Sequence, residues 1–164
     1  MPAGEHDRLV VAVCGPNDTG AEELAWAEAV GRGLAEAGAV LLCGGLGGVM
    51  EAASKGATDA GGLAVGILPG NDRRGANPFL SLALPTGLGE TRNTVLVRMA
   101  DVVIAISGEY GTLSEVAFAL KVGVPVIGLN TWELSKSGGP PVDAIERASD
   151  PEDAVRRAVA LGPR

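Results

Sequence analysis

Two charged residues stand where helix preferences alone would not put them. Arg92 falls in or just before the first turn of a predicted helix. There the helix dipole disfavours a cation by roughly a few tenths of a kcal/mol, and a nearby anion would offset that cost; a surface arginine that merely tolerates the position is the plainer reading. Glu115 follows Thr112 by three residues. A carboxylate held beside an anion-binding loop can stabilise a cationic transition state or activate water. The same Thr-x-x-Glu spacing is that of a capping box, which needs no chemistry.

Three glycine-rich segments surround these residues in the chain: Cys14-Gly-Pro-Asn17, Cys43-Gly-Gly-Leu-Gly-Gly-Val-Met50 and Ser107-Gly-Glu-Tyr-Gly-Thr112. Each follows an apolar run and precedes a helical pattern. Glycine there lets backbone approach a ligand closely, and a helix N-terminus presents free N–H groups to an anion. Tight turning explains some such glycines in any α/β protein; three loops at equivalent positions favour a binding role. No Gly-Lys-Ser/Thr follows any of them, and no G-x-G-x-x-G follows the first strand, which disfavours a P-loop and a dinucleotide site. A mononucleotide or another small phosphorylated ligand fits better.

The elements that must position these loops read clearly. Leu9–Val13, Ala39–Cys43, Leu63–Leu68, Val102–Ile106 and Pro125–Leu129 are short aliphatic runs of the kind buried on both faces of a parallel sheet. Phe79–Leu84 and Val142–Ile145 are weaker strand candidates. Helices are expected after Thr19-Gly-Ala-Glu22, read as a capping box, and over Gly47–Ala60, Gly89–Ala100 and Thr112–Val122, with Pro151 opening the last. Strands separated by single helices predict one α/β domain spanning residues 1–164, a Rossmann-like doubly wound parallel sheet with helices on both faces. Ligands of such sheets bind outside the carboxyl ends of the strands, near the switch in strand order.

Composition narrows the function. The 164 residues include 25 glycines, 13 basic and 20 acidic side chains (net charge −7) and one histidine. An acidic chain with scattered cations lacks the basic face of a nucleic-acid binder. His6 lies in a polar leader, so a Ser-His-Asp triad or a multi-histidine metal site is not expected. The longest apolar stretch, Val95 to Ile106, is interrupted by Arg98 and Asp101, so no membrane span is expected. The N-terminus lacks a signal-peptide pattern, and Cys14 and Cys43 read as small buried hydrophobes of a reducing cytoplasm, or as a redox pair should their strands be neighbours.

The stretch Gly87-Leu-Gly-Glu-Thr-Arg-Asn93, then Ala100-Asp-Val-Val-Ile-Ala-Ile106, then Ser-Gly-Glu-Tyr-Gly-Thr-Leu-Ser-Glu115, resembles the Lonely Guy superfamily. That group comprises nucleoside 5′-monophosphate phosphoribohydrolases, long mislabelled lysine decarboxylases, and the related molybdenum-cofactor carrier proteins. The resemblance runs from about Val10 to Leu129. Thr86-Gly-Leu-Gly, Arg92-Asn93 and Gly111 through Lys121 look closest to the carrier-like branch.

The resemblance implies a catalytic pair, Arg92 and Glu115, acting on the N-glycosidic bond of a nucleotide, and a phosphate cradle of Gly108, Gly111 and Thr112. Gly15, Asn17, Gly44, Gly45, Met50, Thr91, Asn93 and Glu109 complete the candidate ligand contacts. No cofactor is required in that reading. The alternative is a non-catalytic carrier or sensor of an anionic cofactor such as the molybdenum cofactor. Either way the partner is a small ligand, and the resemblance implies a homodimer or homotetramer. Where the hydrolases have Pro-Gly-Gly-x-Gly-Thr-x-x-Glu, Ser107 replaces the proline, which reads as mild. Glu109 replaces the second glycine, adding a carboxylate at a position that glycine could hold at φ > 0. A lysine decarboxylase is not expected, because none of Lys55, Lys121 and Lys136 falls at a strand end suited to a Schiff base.

Overall fold

Aliphatic runs that must hide both faces become the strands of one parallel sheet. The computed structural model describes residues 7–164; His6 lies outside them. In chain order the elements are β1 (Val10–Cys14), α1 (Ala21–Glu36), β2 (Val40–Cys43), α2 (Val49–Asp59), β3 (Leu63–Leu68), β4 (Leu82–Pro85), α3 (Arg92–Met99), β5 (Val102–Ile106), α4 (Tyr110–Val122), β6 (Val126–Leu129), β7 (Ile145–Arg147) and α5 (Pro151–Leu161). The strands lie in the order β4-β3-β2-β1-β5-β6-β7, every neighbouring pair parallel. This is the Rossmann-like sheet expected, and its order reverses between β1 and β5. The two weak strand candidates form its edges, displaced by up to three residues toward the C-terminus, to Leu82–Pro85 and Ile145–Arg147.

Alternation along each strand sends successive side chains to opposite faces. Val11, Val13, Leu41 and Cys43 pack under α1, α2 and α5; Ala12, Cys14 and Leu42 pack under α3 and α4. The register pairs Ala12 with Leu42, so Cys14 and Cys43 point to opposite faces. The redox-pair reading fails on that geometry, and both thiols are free and buried.

Helices α1 and α2 touch through their backbones. A Cβ on Gly31 would lie 2.0 Å from the Ala53 carbonyl oxygen, and one on Gly56 would lie 2.0 Å from that of Glu28. Part of the glycine excess therefore serves helix packing and not the strand-end loops.

The capping box expected at Thr19–Glu22 does not form. The N-cap of α1 is Gly20 with no side-chain cap, leaving Thr19 one residue outside. Asn17 has instead drawn the loop toward β2, its Oδ1 accepting from the Gly47 N–H at 3.1 Å. Gly38 ends the helix as expected, at φ +76°.

Candidate functional site

The loops after β1, β2 and β5 meet at the carboxyl edge of the sheet, where the strand order switches. Helices α1, α2 and α4 begin there, and none has a side-chain N-cap. By contrast α5, which follows the edge strand β7, is capped by Asp150 accepting from the Asp153 N–H at 2.8 Å. On α2 the leading first-turn N–H, that of Val49, donates to the Pro16 carbonyl at 3.0 Å, whereas those in the first turn of α4 remain available to a ligand. Gly48 lets α2 start against β1: at φ +61° its Cβ would lie 2.3 Å from the Pro16 and Asn17 carbonyls.

Arg92 opens α3 and is only 5% exposed. Its Nε donates to the Ile67 carbonyl at 2.8 Å and its Nη2 to the Gly44 carbonyl at 3.4 Å, while Nη1 donates to Asn93 Oδ1. The cation at a helix N-terminus is therefore answered by strand-end carbonyl dipoles. Gly44 makes room for it, since a Cβ would lie 2.8 Å from both Arg92 Nη2 and Met50 Sδ. Asn93 Nδ2 reaches Ser114 Oγ at 3.4 Å, joining α3 to α4.

Glu115 is 8% exposed. Burial pushes its carboxyl up to about 7, against the opposing influence of the neighbouring Cys14 thiol and the positive charge of Arg92. Burial and the neighbouring carboxyl hold the Cys14 thiol well above its usual range. Thr112 is the third residue of α4, not its cap. The capping-box reading of Thr112 and Glu115 is thereby overturned; both side chains are buried at the sheet edge.

The N-cap of α4 is Glu109, exposed, at φ −110°. The glycine it replaces was not needed for a left-handed backbone, so the conformational cost expected there is absent. The strain sits two residues earlier, where Ser107 adopts φ +55°. Proline, held near φ −65°, cannot take that conformation, so the exchange of proline for serine is not mild: it belongs to a differently shaped loop.

A crevice of about 460 Å³ opens here, lined by Pro16, Asn17, Asp18, Glu109, Gly111 and Thr112. It gathers Asn17, Glu109, Gly111 and Thr112 of the expected contacts. Gly44 and Met50 sit beside Arg92, whereas Gly45 packs on Leu68 and Gly15 on Val49. Thr91 is exposed in the short 3-10 turn Gly89–Thr91 and does not line the crevice.

Four participants carried no readable motif. Asp18 adds a second carboxylate to the crevice wall. Trp132 lies over Gly108, whose Cβ would be 2.8 Å from the indole nitrogen, and donates to the Glu109 carbonyl at 3.3 Å. Arg147 holds the Trp132 carbonyl at 2.8 Å. Asn77, a lone asparagine in a polar stretch, takes the Gly45 carbonyl on its N–H at 2.9 Å and donates from Nδ2 to the Leu46 carbonyl at 3.1 Å, clamping the glycine loop of β2.

Fold and site define a Rossmann-like α/β protein whose polar residues converge on the carboxyl ends of β1, β2 and β5. The chain belongs to the SLOG cluster4 family, whose model matches residues 8–155. This agrees with the resemblance to the Lonely Guy and molybdenum-cofactor-carrier-like superfamily. It is similar to the molybdenum cofactor binding protein of the phototrophic bacterium Rippkaea orientalis, at 36% identity and TM-score 0.85, covering 94% of this chain and 97% of that one. The molybdenum cofactor carrier protein of Chlamydomonas reinhardtii matches at 30% identity and TM-score 0.82, over 94% and 98%. A protein of Archaeoglobus fulgidus is 39% identical over 154 residues, 93% of this chain and 95% of its own length. Among the described residues no helix is long and apolar enough to cross a membrane, and no group of three or more His, Cys, Asp or Glu is placed to hold a metal ion.

Proposed function

We propose that this protein is a carrier for a small anionic cofactor of the molybdenum-cofactor type, holding it at the strand-end crevice without breaking a bond. The observation that carries this reading is the state of the expected catalytic pair. Three guanidinium nitrogens of Arg92 are engaged by Ile67, Gly44 and Asn93, and Glu115 is buried on the Cys14 thiol. Both are built into the fold, Arg92 with three of its five N–H donors turned to protein acceptors. The similarity to two proteins named as binding or carrying molybdenum cofactor supports the same reading.

Binding then falls to the uncapped N-terminus of α4, with Gly111 and Thr112 supplying backbone N–H groups to an anionic group. Asp18 and Glu109 on the rim repel excess negative charge and favour a ligand whose other end donates hydrogen bonds. The hydrolase reading keeps one observation: a carboxyl near 7 suits general acid–base work at neutral pH. As the family resemblance implies, the protein acts as a single-domain homodimer or homotetramer in the cytoplasm, with a small-molecule and not a nucleic-acid partner.

The test loads the purified protein with cofactor released from a molybdoenzyme, separates it by gel filtration, and measures retained pterin and molybdenum. Parallel incubations with AMP and GMP follow free base. The expected result is retained cofactor and no base release above a Glu115→Ala control. Glu115-dependent base release without cofactor retention would restore the hydrolase.

A further inference from the structure

A second, larger concavity joins the crevice. It lies between the N-terminal halves of α1 and α2, has a volume of about 660 Å³, and shares Asn17 and Asp18 with the crevice. That size is ordinary for a small-molecule site. Its lining combines the apolar side chains of Leu24, Ala25, Ala52 and Phe79 with the carboxylates of Asp18, Glu28 and Glu51. Glu28 is already engaged, by Lys55 at 2.8 Å and Arg32 at 4.0 Å, and Lys55 also by Asp59 at 2.9 Å. Glu51 and Asp18, by contrast, form no ion pair with any of the described residues. Glu51 is half-buried on the first turn of α2, so its carboxylate borders the groove at the end nearest the crevice.

Apolar side chains together with an unpaired carboxylate are complementary to a flat heterocycle carrying two adjacent N–H donors. We infer that this groove binds the 2-amino-4-oxopyrimidine edge shared by pterins and guanine, with Glu51 accepting from the ring N–H and the exocyclic amine, and Phe79 against the ring. The pairing is charge-assisted and two-pronged. Adenine presents an acceptor beside its amine on the corresponding edge and would set that lone pair against the carboxylate. Phe79 is held for this role by Asn77, whose Oδ1 accepts the Phe79 N–H at 3.1 Å. The groove and the crevice share Asn17 and Asp18, so a ligand held in one borders the other. The choice of a pterin over guanine rests on the carrier reading; the recognised edge does not.

The test titrates the full chain with 6-hydroxymethylpterin, followed by pterin fluorescence, and with GMP and AMP by calorimetry. The Glu51→Gln and Phe79→Ala variants are run beside it, with thermal melts as a folding check. The expected result is that hydroxymethylpterin and GMP bind, that AMP binds at least about tenfold more weakly, and that Glu51→Gln weakens the first two by about tenfold or more with an unchanged melt. The tighter of the two identifies the source of the edge. Failure of both to bind, equal binding by Glu51→Gln, or AMP matching GMP would overturn the groove assignment, even should Phe79→Ala fail to fold. Whole-cofactor retention separates the two readings. Retention indifferent to Glu51→Gln discards the groove and leaves the carrier; Glu51-dependent GMP binding with no cofactor retention leaves the groove and discards the carrier.

Discussion

The carboxyl of Glu115 on α4 is buried beside the thiol of Cys14, the last residue of β1, and raises that thiol's proton affinity. A strand end and the helix across the topological switch thus meet at a buried thiol and an acid that titrates near neutrality. The acid has an ordinary value of 4.5 and a folded value of about 7. Below 4.5 both folded and unfolded chains hold the proton, so stability is fully present. As pH rises from 4.5 to 7 the unfolded chain releases it first and stability falls, by about 3 kcal/mol in all. Above 7 the loss is complete and constant. Glu115→Gln carries no such titration. Urea denaturation is expected to find it as stable as the wild type near pH 4.5 and more stable by a substantial part of that amount at pH 8. A wild-type stability flat between those values would contradict the raised value.

Arg92 makes a second prediction, because its bonds are to the protein's own backbone. Arg92→Met leaves the Ile67 and Gly44 carbonyls without their charged donor, and the expected destabilisation is about 3 kcal/mol. Arg92→Lys restores charge without the planar fork and is expected to recover only part of it. A purely catalytic arginine would show no loss in denaturation of the unliganded protein.

How far the sequence revealed this arrangement depends on whether the signal was periodic. Strands such as Val102–Ile106, buried at every residue, could only be central and parallel. The coincidence of Arg92, Glu115 and three glycine loops at one sheet edge followed from topology. Capping spacings misled twice, at Thr19–Glu22 and Thr112–Glu115, because each helix starts at a residue whose tertiary contacts, not its side-chain oxygen, set the boundary. Asn77 and Trp132 were illegible: their bonds cross 31 and 23 residues to carbonyls that no local pattern marks.

The Asn77 clamp can be removed without touching the crevice. Asn77→Ala loses the bonds to the Leu46 carbonyl, to Ser54 Oγ at 3.4 Å, and from the Phe79 N–H, but keeps its own N–H on Gly45. With the half-buried Leu46 carbonyl left without this donor, local opening is expected to become easier by about 1–3 kcal/mol. Amide exchange should quicken roughly tenfold or more at Phe79 while β5 amides stay protected. Unchanged exchange at Phe79 would mean that the side chain does not hold this segment.

Gly31→Ala sets two effects of opposite sign against each other. Intrinsic propensity favours alanine over glycine in a helix interior by about 1 kcal/mol. At this position the added methyl would sit 2.0 Å from the Ala53 carbonyl oxygen, which is backbone and cannot swing aside. Relief requires α1 and α2 to separate, costing contacts of Ala27, Val30 and Leu34 with Ala53 and Ala57 in one core. Overpacking of this kind costs about 3 kcal/mol or more where backbone is the obstacle. The variant is therefore expected to be less stable than the wild type in urea by about 2 kcal/mol net. The groove between the same helices should widen as they part, so the variant's affinity for hydroxymethylpterin falls along with its stability. A Gly31→Ala variant more stable than the wild type would show that the helices do not meet backbone to backbone.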